Sequence, residues 1–292
     1  MLNRTTAFDD EEFCKFIAGH KVAVSVSVHG GPERHAFATG RTTEDSLPRT
    51  LDTMRRVSSA GVFVVANIVV GGAGSIVHAM DAARLAVEEG GAKQLLAMRP
   101  IQSGAGVLSS ESPEDVRQFM ECTAEEYRVA YLKLARYARR KRCYLAAGCS
   151  TPECILPSSN PEIEMTSIPR GCACGSRSIA IDPQGWLRPC TTAGTMGGCI
   201  LDPKTEEITP EAVLAAFRDD AMSEFRASAL PMAKQKALPE KCVGCEFLPT
   251  CSSGCPSAHI KCSKDGEAMC DAVLVLDENC VQPEKRSEAE SK

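Results

Sequence analysis

"VFVVANIVVGGAGSIVHAMDAARLAVEEGGAKQLLAMRPI", residues 62–101, holds the pattern that decides the fold. Its opening, "VFVVANIVVGG" (62–72), is almost continuously apolar and stops on two glycines, which predicts a buried strand. "SIVHAMDAARLAVEEGG" (75–91) predicts a helix, and "KQLLAMRPI" (93–101) a further strand. Continuous apolar strands separated by a helix require a parallel sheet covered by helices, because only that arrangement buries such strands.

Working outward, "KVAVSVSV" (21–28) is β-rich and leaves through "HGG". "SLPRTLDTMRRVSSAG" (46–61) spaces Leu47, Leu51, Met54 and Val57 as one helical face and ends on Gly61. A long helix is expected over about 113–140, with Pro113, Glu114 and Asp115 at its start and Arg139, Arg140, Lys141 and Arg142 at its end. That charge order suits the helix dipole, so the basic run reads as a cap. Three strand–helix units are too few for a closed eight-stranded barrel. The expected class is α/β, a partial barrel or open sheet over residues 1–145.

From about residue 146 the periodicity lapses. Residues 146–170 read as a linker, and "RSIAIDPQGWLRPC" (177–190) as a hairpin turning on "DPQG". The remainder is loop-rich, apart from short helices within 210–227, and residues 286–292 read as a disordered tail.

Composition narrows the chemistry. The 292 residues are 43% hydrophobic and carry a formal charge of −5, which offers nothing to nucleic acid or an anionic membrane. No stretch approaches the roughly 20 apolar residues of a membrane span. "MLNRTTAFDDEEF" lacks the apolar centre of a secretory signal, so the expected location is the cytoplasm. In a reducing compartment, sixteen cysteines point to thiolate–metal binding more than to a disulfide framework. Only Cys14 and Cys122 precede residue 140, which separates a first region from a cysteine-rich second one. No H-E-x-x-H or phosphate loop occurs, and the five histidines are scattered. "GGAGS" (71–75) reads as a strand-to-helix turn.

"CVGCEFLPTCSSGC" (242–255) sets Cys242, Cys245, Cys251 and Cys255 at gaps of two, five and three. Metal–thiolate bonds supply folding energy where a loop-rich segment lacks apolar sequence. Zinc ribbons pair two C-x₂-C knuckles, and only one is present. Iron–sulfur clusters also take four thiolates, at spacings that vary. By spacing alone this run admits both.

Taken with its surroundings, the run resembles a known pattern. Cys174, ten residues, Gly185, four residues and Cys190 precede it, and fourteen residues later comes Cys270. The whole resembles the SPASM domain, the auxiliary-cluster extension of radical S-adenosylmethionine (SAM) enzymes, over about residues 171–285. The resemblance implies two [4Fe–4S] clusters. One would take Cys242, Cys245, Cys251 and Cys270; the other Cys174, Cys190 and Cys255, with Cys172 a candidate fourth ligand. Cys14, Cys122, Cys262 and Cys280 read as small buried or surface residues. Cys143, Cys149, Cys154 and Cys199 match no metal motif.

The first 145 residues resemble the radical SAM domain that precedes SPASM. "VSVSVHGGPERHAFATGR" (24–41), "TLDTMRRVSSAGVFVVANIVV" (50–70) and "LLAMRPIQSGAG" (95–106) carry the likeness in order. It implies that Ser27 and Asn67 face SAM. His29, Ala36 and Thr39 depart from the family's usual residues. The C-x₃-C-x₂-C triplet that holds the SAM-cleaving cluster is absent from these 292 residues, as is the glycine-rich segment that holds the SAM amino group. The chain thus looks like a radical SAM–SPASM protein without its first strand–helix units, completed by a missing N-terminal half or a partner subunit.

The resemblance implies a protein related to peptide- or protein-modifying maturases, with a peptide or protein substrate. SAM would be used only if the missing part is supplied. It assigns no catalytic residue here. The alternatives are a non-catalytic cluster- or peptide-binding remnant and a zinc-stapled structural module.

Overall fold

The computed structural model describes residues 6–39, 43–72, 74–99, 122–171, 179–182, 184–190, 197–202, 205, 207–229 and 244–251. The chain forms two compact units. The first comprises Met1–Pro100, Gln118–Cys149 and Ile155–Ile168; the second comprises Ile101–Arg117, Ser150–Cys154 and Pro169–Lys292.

In the first unit, β1 (Ala23–Ser27), β2 (Phe63–Val69), β3 (Gln94–Met98) and β4 (Tyr144–Ala147) form one sheet in sequential order. Every pairing is parallel. The register sets Ser27 beside Asn67, Asn67 beside Leu96, and Leu96 beside Ala146. The parallel α/β class expected from the apolar strands is the class the chain adopts. β4 is an addition to that expectation. Its four residues, "YLAA", are too short and too alanine-rich to signal a strand by themselves.

Alternation divides the sheet into two unlike faces. Val64, Ala66, Ile68, Leu95 and Ala97 are wholly buried. Above them lie α3 (Thr43–Ser59), α4 (Ser75–Arg84) and α5 (Ala124–Lys141), and the Tyr127 hydroxyl of α5 donates to Ala97 O at 3.3 Å. The opposite face carries Ser25, Ser27, Asn67, Leu96 and Met98, all partly or fully open. Leu47, Leu51, Met54 and Val57 form the buried stripe of α3 as their spacing requires.

The helix expected from residue 113 is corrected at its start. Thr123 is extended (φ −73°, ψ 158°), and α5 begins at Ala124. Thr123 Oγ1 accepts from Glu126 N at 3.1 Å, while Glu126 Oε2 accepts from Thr123 N at 2.8 Å. This capping box was present in the sequence as "TAEE" (123–126), and it satisfies two orphan donors at that point. Residues 113–121, Pro100 and Ile101 lie outside the described residues. Two short helices, α1 (Glu11–Gly19) and α2 (Pro32–Thr39), carried too few periodic positions to be read. The Asp10 carboxylate caps α1, accepting from Glu12 N and Phe13 N.

Residues 146–170, read above as a linker, include a parallel bridge from Ser167 to Ala146 beside β4. Ser167 N donates to Leu145 O at 3.0 Å, and Ala147 N to Ser167 O at 2.8 Å. Residues 286–292 lie outside the described residues. Among the described residues no helix is long and apolar enough to cross a membrane.

In the second unit the expected hairpin is present. β5 (Ala180–Ile181) pairs antiparallel with β6 (Leu187–Arg188). Leu187, Ile200, Ala216 and Met222 form a small buried core beneath it, supplied partly by α6 (Pro210–Phe217) and α7 (Asp220–Ala229). The last described helix is α8 (Leu248–Cys251).

Candidate functional site

The first unit offers the open face of its sheet. Asn67 sits there with its side-chain oxygen accepting from Ser25 Oγ at 2.9 Å. Ser27 is its register partner on β1 and is half-buried. The two residues expected to face SAM are therefore neighbours on the face that the described helices leave uncovered.

The loops that follow β1 and β2 are tied together at the carboxyl end of the sheet. Arg34 Nη2 donates to Gly71 O at 2.7 Å, a bond sequence reasoning missed because one arginine in a short helix carries no pattern. The chain turns through "GGAGS" by placing Gly72 and Gly74 at φ 77° and 73°, as a strand-to-helix turn requires. Partial burial pulls the Arg34 guanidinium below its ordinary value.

Two of the three residues that depart from the pattern of the resemblance, Ala36 and Thr39, are packed or bonded through their side chains. His29 N donates to His35 Nδ1 at 3.3 Å, and His35 Nε2 lies 3.3 Å from Thr50 Oγ1 of α3. Burial lowers His29 to about 4, helped by His35 and then Arg34. Thr39 Oγ1 donates to His35 O at 2.8 Å and sits 2.8 Å from Ser46 Oγ. Ala36 is 4% exposed. This stretch fastens α2 to α3.

The second unit builds its site around the hairpin. Asp182 Oδ1 accepts from Gln184 N at 3.0 Å and Trp186 N at 2.9 Å, while Oδ2 pairs with Arg188 Nη2 at 3.0 Å. The Trp186 amide, first among these, holds the Asp182 carboxyl below the usual carboxylate range. Gly185 has φ +83°, and a Cβ there would stand 2.6 Å from Leu201 Cβ. Only glycine meets both conditions. Cys190 follows β6 by two residues, so the turn sets where this thiol leaves the hairpin.

Cys245 is half-buried, and its carbonyl accepts from Leu248 N as α8 begins. Cys251 is 7% exposed, and its sulfur accepts a hydrogen bond from Glu153 N at 3.3 Å. Glu153 is in turn paired with Arg170 Nε at 3.0 Å. Neither contact has a sequence signal, since the partners are 98 and 17 residues apart in a segment without period.

Cys172, Cys174, Cys242, Cys255 and Cys270 lie outside the described residues. Among the described residues no three metal-binding side chains come together. Cys14, Cys122 and Cys143 are raised by burial, Cys122 to about 12, which suits inert packed thiols. Cys199 is exposed and donates to Gln184 O and Leu201 O. Cys154 is disulfide-bonded. Cys262 and Cys280 lie outside the described residues.

No protein-family model matches the chain, and no curated protein matches it in sequence. Solved structures match it in fold. Native anSMEcpe with bound AdoMet superposes with a TM-score of 0.53 at 16% identity, over 93% of this chain and 68% of that one. SuiB of Streptococcus suis superposes with a TM-score of 0.51 at 13% identity, over 90% of this chain and 57% of its own. At these identities the likeness is one of fold.

Proposed function

We propose that this chain is an iron–sulfur protein of the radical SAM–SPASM kind, related to peptide- or protein-modifying maturases. The observation that carries this reading is the motif glycine. In the spacing Cys174–Gly185–Cys190 the glycine has a structural reason to be invariant in type, and it aims the hairpin that ends at Cys190.

Two [4Fe–4S] clusters would be held by Cys242, Cys245, Cys251 and Cys270, and by Cys174, Cys190 and Cys255 with Cys172 as the candidate fourth thiolate. Of the described part of this set, the Cys251 sulfur accepts an N–H, as a cluster thiolate does. Such clusters supply electron transfer or a substrate-binding iron when present. SAM would lie against Ser27 and Asn67, and its reductive cleavage would need a C-x₃-C-x₂-C triplet that these 292 residues do not carry. That anSMEcpe, which shares the fold, is solved with AdoMet supports SAM as the cofactor. A peptide or protein is the proposed substrate, and the cytoplasm the proposed location.

Anaerobic reconstitution tests the reading. The purified chain should take up iron and sulfide, about eight irons per chain, and become coloured. With SAM and reductant it should make no 5′-deoxyadenosine alone. A colourless protein holding zinc would establish the structural module in its place.

One observation favours a second reading, a cluster-binding remnant without SAM chemistry. His35 and Thr39 bond Thr50 and Ser46 of α3 and so hold α2 on α3. Adding in trans a protein that carries a C-x₃-C-x₂-C cluster separates the two, since only the first reading gains SAM cleavage.

A further inference from the structure

Cys251 is met by a loop built to stay where it is. Ser150 Oγ donates to Arg170 O at 2.7 Å, and Thr151 N donates to Pro169 O at 2.9 Å. Arg170 Nη1 donates to Thr151 O at 3.1 Å, with Pro152 O at 3.4 Å, and Arg170 Nε pairs with Glu153 Oε2 at 3.0 Å. The pair is largely withdrawn from water, with 18% of the arginine side chain and 13% of the glutamate exposed. Ion pairs so placed are screened little, and losing one partner leaves a poorly solvated charge. One guanidinium thereby fixes residues 151–153, and within that stretch the Glu153 N–H points at the Cys251 sulfur.

We propose that Arg170 is a positioning residue that holds the Glu153 amide as a hydrogen-bond donor to the cluster bound through Cys251, and so raises that cluster's reduction potential. This rests on the cluster reading above. Reduction adds one negative charge to a cluster, and much of it reaches the thiolate sulfurs. An N–H aimed at such a sulfur stabilises the reduced state more than the oxidised one. The proposed role differs from ligation, because neither Arg170 nor the Glu153 amide needs to touch iron.

The test uses the full cluster-loaded chain in a redox titration followed by electron paramagnetic resonance, with iron and sulfide measured on each sample. Arg170→Gln should keep its iron and move the midpoint potential of one cluster to a more negative value. Glu153→Pro, which deletes the amide hydrogen itself, should move the same cluster in the same direction. Arg170→Lys should recover part of the shift, whereas Arg136→Gln, which breaks an ion pair with Glu162 in the first unit, should move neither cluster. Unchanged potentials in both Arg170→Gln and Glu153→Pro, or a positive shift, overturn the proposal. Loss of iron from Arg170→Gln overturns it too, since the residue would then be retaining the ligand and not tuning it. If the unaltered chain takes up no iron and sulfide, the cluster reading itself fails and takes this inference with it.

Discussion

Ser25 and Asn67, 42 residues apart, are joined by a 2.9 Å hydrogen bond across adjacent parallel strands. The bond lies on the sheet face that the helices do not cover. Ile68, the next residue along β2, points the other way and is wholly buried. Neighbours in the chain therefore have unequal weight in the fold. Asn67→Ala should cost about 1 kcal/mol, the net worth of one partly solvated hydrogen bond. Ile68→Ala should cost about 2–5 kcal/mol through lost burial and the cavity left behind. Urea denaturation of the two variants decides the matter, and equal costs would contradict the two-faced sheet.

His29 makes stability depend on pH. Its folded pKa of about 4 lies below the ordinary 6.5, with burial the main cause. Between these values the unfolded chain holds a proton that the folded chain refuses. Stability should therefore be unaffected by this group above pH 6.5 and fall as pH drops from 6.5 to 4, by up to about 3 kcal/mol. His29→Asn should flatten that limb in denaturation midpoints taken across the window. An unchanged slope would place the titrating group elsewhere.

Thr123 starts α5 with a reciprocal cap to Glu126. Thr123→Ala should cost about 1 kcal/mol. Thr123→Ser, which keeps the hydroxyl, should cost far less. Thermal melts of the pair suffice, and no difference between them would deny the cap its role.

Gly185 meets two demands at once, positive φ and a 2.6 Å approach to Leu201. Gly185→Ala should destabilise the second unit by about 2–4 kcal/mol, combining backbone strain with overpacking. Limited proteolysis of the reconstituted chain should show earlier cleavage after residue 169, while the first unit keeps its resistance.

Cys190 and Cys251 belong to different clusters in the proposed partition. Cys190→Ala and Cys251→Ala should each lower bound iron by about half, and the double variant should lose nearly all. Cys14→Ala, which removes a buried thiol far from any motif, should lose none. A single variant that emptied the folded protein of iron would argue against two separate sites.

Much of the fold was legible because burial writes periods into a chain. Val64, Ala66, Ile68, Leu95 and Ala97 are apolar because a parallel sheet covers them, and Leu47, Leu51, Met54 and Val57 recur because α3 turns one face inward. Elements too short to complete a period were not legible. β4 has four residues, and the eight of α2 hold too few apolar positions at helical spacing to show a face. The start of α5 was written plainly in "TAEE", but the charges near residue 113 offered a competing start.

The sequence by itself determined the parallel α/β class, the hairpin, and the spacing of cysteines from which the cluster reading is argued. These are properties of order along the chain, where period and interval survive without coordinates. Only the tertiary structure decided that Asn67 bonds Ser25, that Gly185 must clear Leu201, and that Arg170 holds the Glu153 amide to the sulfur of Cys251. Those contacts join residues tens of positions apart, and folding pairs them by shape and charge without leaving a repeat to read.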